Sequence, residues 1–361
     1  MQKLRIRSAV EQLADYLKEG MAAGVWRGEM PGVVALAGEL GVNHKTAEAA
    51  LALLEREGVL HGQGRRRPRR IAMNGGGSIT RSIRIGMLLY DVTDFHSELT
   101  AEIRHRLHGA GHATFAAKGL LSDAGMDVDR VAGLVGKHPA DAWLAISASF
   151  ELLERFSRRR LPIFALFGRF RRLPVAGAAP DKTGAYAAAV RTLVRHGHRR
   201  IVLLTRPQHR LPVPSQAAKT FLGTLVAEGI KVSDYNNPHW ENTREGFQRC
   251  LESLFRASPP TALVVQETML FGAVQQFLVA RGIRVPRDVS LVCTDPDPSF
   301  VWRIPTVAHI RWEIGPVVRR VVRWADHVAL GKDDRRHLLT KAEFVPGGTI
   351  GSVAARSSRR A

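Results

Sequence analysis

Two stretches of this 361-residue chain carry residue types whose spacing suits contact with a polyanion. In Gly41-Val42-Asn43-His44-Lys45-Thr46, a glycine that accepts left-handed backbone ends one helix and an Asn N-cap opens the next. The amide of Asn43 suits bidentate pairing with adenine, and the first N–H groups of a helix suit a phosphate. His44, Lys45 and Thr46 add donors on the same turn. Further on, Arg65-Arg66-Arg67-Pro68-Arg69-Arg70 places five arginines in six positions, a density that suits phosphates or a minor groove. A charge run alone is ordinarily a solvated face, so its meaning depends on its neighbours. No Gly-x-x-x-x-Gly-Lys-Ser/Thr loop, His-Glu-x-x-His pair or Gly-x-Ser-x-Gly elbow is present, so no familiar catalytic motif competes with a binding role.

The elements that must hold these groups are legible. Val10, Leu13, Ala14, Leu17 and Met21 form one stripe of a helix over 8–24. Pro31 leads a second, short helix that turns Leu36, Ala37 and Leu40 inward. Ala47, Ala50, Leu51 and Leu54 recur at the helical period in the third. Val59-Leu60-His61, the turn Gly62-Gln63-Gly64, the arginines and Ile71-Ala72-Met73 then read as strand, loop and return strand, a β-wing.

Residues 8–72 thereby resemble the winged helix of GntR-type transcription regulators. The resemblance rests on the proline-led second helix, the Gly41-Val42-Asn43-His44-Lys45-Thr46 turn, and Leu54-Glu55-Arg56-Glu57-Gly58-Val59-Leu60 before the wing. Val33-Val34 stands where that family often has Glu-Arg, and His44 and Glu48 replace common arginines, so the operator sequence does not carry over. The resemblance implies DNA contact by Asn43, His44, Lys45 and Thr46 and by the wing arginines Arg65, Arg66, Arg67, Arg69 and Arg70.

Composition agrees. The formal net charge is +20, from 53 basic and 33 acidic residues, which favours a polyanionic partner. An arginine-rich sequence bias accounts for part of it, as in Arg158-Arg159-Arg160 and Arg169-Phe170-Arg171-Arg172. Cys250 lies in a helical pattern and Cys293 in an apolar strand, which argues against a disulfide and for a reducing cytosol. The N-terminal residues lack the apolar core of a secretion signal, and no run approaches the roughly 18 apolar residues of a membrane span. Asn74-Gly75-Gly76-Gly77-Ser78 opens a flexible linker over 74–82.

From Ile83 strands and helices alternate. Strands are expected at 83–90, 113–117, 142–146, 163–167, 175–179, 201–205, 262–266 and 289–293. Helices are expected at 98–109, 128–137, 150–160, 184–196, 215–228, 243–256 and 270–281. That order implies parallel sheets covered on both faces, and the length suggests two such subdomains.

This half, about 83–350, resembles the LacI/GalR effector domain, which has the periplasmic-binding-protein-like fold. Ile85-Gly86-Met87-Leu88 with Asp91, the run 193–201, the run 260–265 and Gly282-Ile283-Arg284-Val285-Pro286-Arg287-Asp288-Val289 carry the likeness. His196-Gly197-His198 falls where that family has an ordinary helix-to-strand turn, not a metal site. The resemblance implies a cleft between subdomains that closes on a small molecule at the carboxyl ends of the strands. Its candidate lining is Asp91, Phe95, His96, Asp181, Trp240, Glu267 and Asp295, carboxylates to accept hydroxyls and an aromatic to stack on a sugar face. Turn capping for Asp91, Asp181 and Asp295, and core packing for Phe95, are the plainer alternatives. Two departures stand out. Ala217-Ala218-Lys219-Thr220-Phe221 replaces the family's Arg-x-x-Gly-Phe, and Gln266-Glu267 replaces Asn-Asp.

The expectation is an α/β protein with an N-terminal winged helix-turn-helix at 1–73, a linker at 74–82, a two-subdomain effector and dimerisation domain at 83–350 and a disordered tail at 351–361. It resembles arabinose-repressor-type hybrids. Its partners are a double-stranded DNA operator, a small-molecule effector such as a sugar, and a second copy of itself as a homodimer in the cytoplasm, with no cofactor, metal or membrane. The alternative keeps DNA binding but gives the LacI-like domain dimerisation alone.

Overall fold

The computed structural model describes residues 8–22, 25–26, 28–62, 68–71, 82–159, 161–210 and 213–353. Arg65, Arg66 and Arg67, the linker up to 81 and residues 354–361 lie outside them. The chain divides into two compact units, one of Met1–Ser82 with Ala329–Gly331 and one of Ile83–Val328 with Lys332–Ala361.

The first unit has α1 (Ala9–Ala22), β1 (Glu29–Met30), α2 (Val33–Leu40), α3 (His44–Arg56), β2 (Leu60–His61) and β3 (Arg69–Ile71). Gly41 ends α2 at φ 64°, a backbone shape that costs an L side chain but not glycine. Asn43 caps α3 by accepting the Lys45 N–H at 2.9 Å. The expected stripes meet: Leu13, Ala14 and Leu17 of α1 and Leu36 of α2 pack with Ala47, Ala50, Leu51 and Leu54 of α3. The sheet is antiparallel in the order β1-β3-β2, with Glu29 opposite Arg70 and Leu60 opposite Ile71. β1 is an addition to the sequence reading, because two residues are too few to show alternation.

The second unit runs β4 (Arg84–Leu88), α4 (Val92–His96), α5 (Glu98–Gly109), β5 (Ala113–Ala116), α6 (Val128–Lys137), β6 (Ala142–Ile146), α7 (Phe150–Ser157), β7 (Ile163–Leu166) and β8 (Ala176–Asp181). It continues through α8 (Thr183–Arg195), β9 (Ile201–Leu204), α9 (Gln216–Ala227), α10 (Arg244–Ala257), β10 (Ala262–Val265), α11 (Thr268–Ala280) and β11 (Ser290–Cys293). It ends with β12 (Ala308–Trp312), α12 (Ile314–Ala329) and β13 (His337–Val345). The strand order is β5-β4-β6-β7-β8-β13-β12-β11-β10-β9, all parallel pairs except β12 with β13. The two expected parallel sheets are thus hydrogen-bonded into one ten-stranded run, with β13 as the join. No element is expected beyond Cys293, so β12, α12 and β13 are additions. α12 nonetheless carries a helical period: Val317, Val318, Val321, Trp324 and Ala325 recur at three- and four-residue spacing and are buried.

Two lobes result. Strands β4 to β8 with α12 form the first; Trp324 of α12 lies 5.3 Å from Phe164 of β7. Strands β9 to β12 with α8 form the second. The chain passes between them after β8, after β12 and along β13. Gly86 allows Trp143 against its bare Cα, since a Cβ there would meet the ring at 2.5 Å. His198 bonds Gly351 O and Ser290 Oγ, both at 2.9 Å, so it fastens the C-terminal strap to the second lobe. Cys250 and Cys293 are free and buried.

The passage from α12 to β13 is fixed by a buried ion cluster. Asp334 takes two bonds from Arg320, at 2.8 and 3.1 Å, and further bonds from His327 at 2.7 Å and Arg336 at 3.0 Å. Its side chain is 2% exposed and that of Arg320 8%. Burial disfavours the Asp334 charge, but hydrogen bonds from Arg336 and His327 and the Arg320 charge outweigh it and hold the carboxyl below the usual range. Removing one member of a buried pair strands the other, at about 3–5 kcal/mol. Asp334→Ala should therefore lower the unfolding free energy of this unit by about that amount in urea titrations at neutral pH. Because the native pKa is depressed, the gap between wild type and variant should be full above about pH 4 and narrow on acidification below it.

Candidate effector cleft and helix-pair surface

Parallel strands deliver their carboxyl ends to one edge, so the loops after β4, β8, β9, β10 and β11 face one another across the two lobes. They bring Asp91, Asp181-Lys182, Thr205-Arg206, Gln266-Glu267 and Thr294-Asp295 to that edge.

Asp91 caps α4 in a reciprocal box. Its Oδ1 accepts the Thr93 N–H at 2.8 Å, while Asp94 Oδ2 accepts the N–H groups of Tyr90 and Asp91 at 2.8 and 3.1 Å. Burial raises the Asp94 carboxyl to about 6 against those bonds. The second oxygen of Asp91 reaches across the cleft and accepts Arg206 Nη2 at 2.8 Å. Arg206 Nε donates to Glu267 Oε2 at 2.8 Å and Nη1 to Asn242 Oδ1 at 3.3 Å. Its side chain is 8% exposed. Tyr90, under the guanidinium at 5.4 Å, donates its hydroxyl to Gln208 Oε1 at 2.9 Å and accepts Asn242 Nδ2 at 2.7 Å.

Asp295 pairs with Lys182, the residue that follows β8, and accepts the Glu267 N–H at 3.2 Å and the Thr294 hydroxyl at 3.0 Å. Glu267 holds φ 65°, a strained shape for a side-chain-bearing residue that this bond helps to fix. Burial pushes the Glu267 carboxyl up to about 7, with Arg206 pulling the other way. His209 is pushed down to about 4 by burial and by the cations Lys182, Arg169 and Arg206, so its ring is neutral at pH 7.

Three of the expected residues, Asp91, Glu267 and Asp295, fall in this connected network. The other four fall outside its bonds. Asp181 caps α8 through Thr183, with Arg171 3.6 Å away. Trp240 donates its indole N–H to Thr205 O at 2.8 Å and packs on Phe247 at 4.8 Å, which braces the strand end that carries Arg206. Phe95 and His96 contact each other, with Arg104 over the Phe95 ring, on the short α4. Arg206, Lys182, Tyr90, Asn242 and Gln208 were missed. The signal available for Arg206 was its place two residues past an apolar strand, the same rule that selected Asp91.

In the first unit Asn43, His44 and Lys45 are exposed at the start of α3 and Thr46 is half-buried. Asn43 Oδ1 is engaged by its cap, so the expected two-bond pairing with adenine competes with that bond. Arg69 bonds Glu55 at 2.7 Å, and Arg70 is exposed.

Among the described residues no cluster of three metal-ligating side chains occurs, and no helix is long and apolar enough to cross a membrane. Residues 190–350 match the model of the periplasmic binding protein-like domain. The chain is 34% identical over 117 residues to the HTH-type transcriptional regulator AglR of Rhizobium meliloti, covering 32% of each chain. It is 28% identical over 207 residues to the HTH-type transcriptional regulator MalR of Streptomyces coelicolor, covering 55% of this chain and 58% of that one. The chain thus spans a third to three fifths of the length of these curated relatives. A solved structure of a LacI family transcriptional regulator from Enterococcus faecium, with bound ribose, superposes with a TM-score of 0.60 at 16% identity, over 75% of this chain and 99% of that one. Residues 190–350 are thus similar to a periplasmic binding protein-like domain, and the unit from Ile83 onward has the fold of the solved LacI family transcriptional regulator.

Proposed function

We propose that this protein is a sequence-specific DNA-binding transcription regulator, a repressor, whose cleft takes a small sugar-like effector. The observation that carries this reading is the presence in one chain of a capped helix pair with exposed polar residues at its second N-terminus and a two-lobed unit whose strand ends converge on a polar cleft. The relatives named as HTH-type transcriptional regulators support it, and the ribose in the Enterococcus faecium structure supports a sugar as the effector class.

The finer reading is a winged helix of the GntR type. Three helices with an antiparallel three-stranded sheet, and the left-handed turn at Gly41, favour it. Asn43, His44, Lys45 and Thr46 would face base edges and phosphates. Arg65, Arg66, Arg67, Arg69 and Arg70 would hold the backbone, with Arg69 leaving Glu55 to do so. A homodimer would present two such heads to a near-palindromic operator in the cytoplasm. Effector binding would shift operator affinity by its differential affinity for the two cleft geometries. No catalytic step enters this reading.

A second reading, a unit that dimerises without a ligand, draws on Arg206, whose side chain already fills carboxylate partners that a ligand would use. The two readings part on ligand binding.

Replacing Arg65, Arg66 and Arg67 with alanine should weaken binding to every duplex and lower the salt slope of log K by up to about 0.9 for each phosphate no longer neutralised. An unchanged slope in fluorescence-anisotropy titrations removes the wing from the interface. An effector at about 100 times its Kd should stabilise the native protein by about 2.7 kcal/mol. That is a rise of several degrees in Tm in a sugar screen, and Asp295→Ala should abolish it. A screen without any shift favours the ligandless reading.

A further inference from the structure

Arg206 occupies the middle of the cleft, and its bonds divide by lobe. Glu267 and Asn242 belong to the second lobe with Arg206 itself, and those bonds survive any opening of the cleft. The bond to Asp91 crosses to the first lobe, as do the bonds of Tyr90 to Gln208 and Asn242. On Asp91, Oδ1 is held by the Thr93 cap, so Oδ2 is the oxygen free to exchange partners. Asp91 is 17% exposed and Arg206 8%, so neither charge has water to fall back on while the lobes are together. Beside them the Gln208 Nε2 is buried with no hydrogen-bond partner among the described residues, a donor that awaits an acceptor.

We propose that Arg206 is a tethered occupant of the cleft that sets its ligand selectivity: it holds the lobes together through Asp91, and only a neutral polyol displaces it. A ligand that enters must give a donor to Asp91 Oδ2 and an acceptor to the freed Arg206 N–H at the same time. A pair of hydroxyls does both, because each hydroxyl donates and accepts. A carboxylate or phosphate satisfies the guanidinium but sets a second negative charge against Asp91 and Glu267, where like charges in a poorly hydrated site are costly. Of the other cations beside it, Lys182 is already paired with Asp295, and Arg169 donates to the carbonyls of Gln208 and Val213 across the lobes. This deepens the effector reading above and rests on it only for the choice of ligand. The bonds between the lobes do not depend on it.

The test uses the full chain with spin labels at Lys137→Cys in the first lobe and Ser253→Cys in the second, both exposed, while the native cysteines are buried. Distances between labels are compared for the otherwise unaltered protein, Asp91→Asn, Arg206→Met and the double variant, without ligand. Asparagine keeps the α4 cap but loses the charge. Each single variant should raise the ratio of open to closed lobes by about tenfold or more, and the double variant no further than either single one, since both remove the same bond. Unchanged distances in both single variants, or additive opening in the double, overturn the tether. A panel of neutral aldoses and the uronic acids of the same skeletons then reads selectivity by calorimetry. Binding confined to the neutral members, with Asp91→Asn narrowing the preference over the acids, is the expected result, and a uronic acid that binds more tightly than its neutral counterpart overturns the selectivity. The distance measurement needs neither effector nor DNA. Its failure therefore falls on the tether alone, whereas silence across the whole panel falls on the effector reading and on the selectivity built upon it.

Discussion

A guanidinium withdrawn from water must be neutralised by carboxylates at hydrogen-bond distance, and Arg206 meets that demand by drawing on both lobes. Glu267 supplies one partner from within its own lobe and Asp91 the other from across the cleft. Much of the site follows from this. The α4 cap fixes Asp91 by leaving only one oxygen exchangeable, and Trp240 braces Thr205, the neighbour of Arg206. The Asp295 carboxylate holds the strained Glu267 backbone and Lys182 together. Charges that would each be unfavourable alone are arranged so that every one has a partner.

The sheet makes such a meeting possible. Parallel strands cannot be joined by tight turns, so their carboxyl ends accumulate at one edge with helices covering the faces. β13 pairs with β8 on one side and β12 on the other, so the lobes are joined by backbone bonds at the hinge while their strand ends meet through side chains. The Asp334 cluster fixes the chain where it leaves α12 for β13. In the function proposed here a small ligand would act at that polar meeting, where its binding energy bears on a few bonds rather than on the packed cores.

The first unit rests on simpler physics. A left-handed glycine and an Asn cap set the angle between two short helices, and a small core of leucines and alanines holds them on α1. Small residues at Ala47 and Ala50 let α3 approach α1 closely. In the proposed DNA-binding role the cap would compete with base contact, since the oxygen of Asn43 already accepts the Lys45 N–H.

The helices of the first unit and the strands β4 to β11 were legible in the sequence because local rules decide them: apolar residues at a fixed period, a glycine at the turn, a cap before the helix. Asp91, Glu267 and Asp295 were legible because position after a strand, set beside the family resemblance, pointed to them. β1 was not legible, since two residues show no period, whereas β12, α12 and β13 went unread although α12 carries a helical apolar stripe. The position of Arg206 after a strand was legible, but its pairing with Asp91 and Glu267 was not, for a different reason. In the chain it lies 115 positions from Asp91 and 61 from Glu267. Local sequence sets which groups stand at the ends of elements; only the folded sheet decides which of those ends come within 3 Å of one another, because that depends on strand order, and strand order is a contest among distant pairings that no local pattern records.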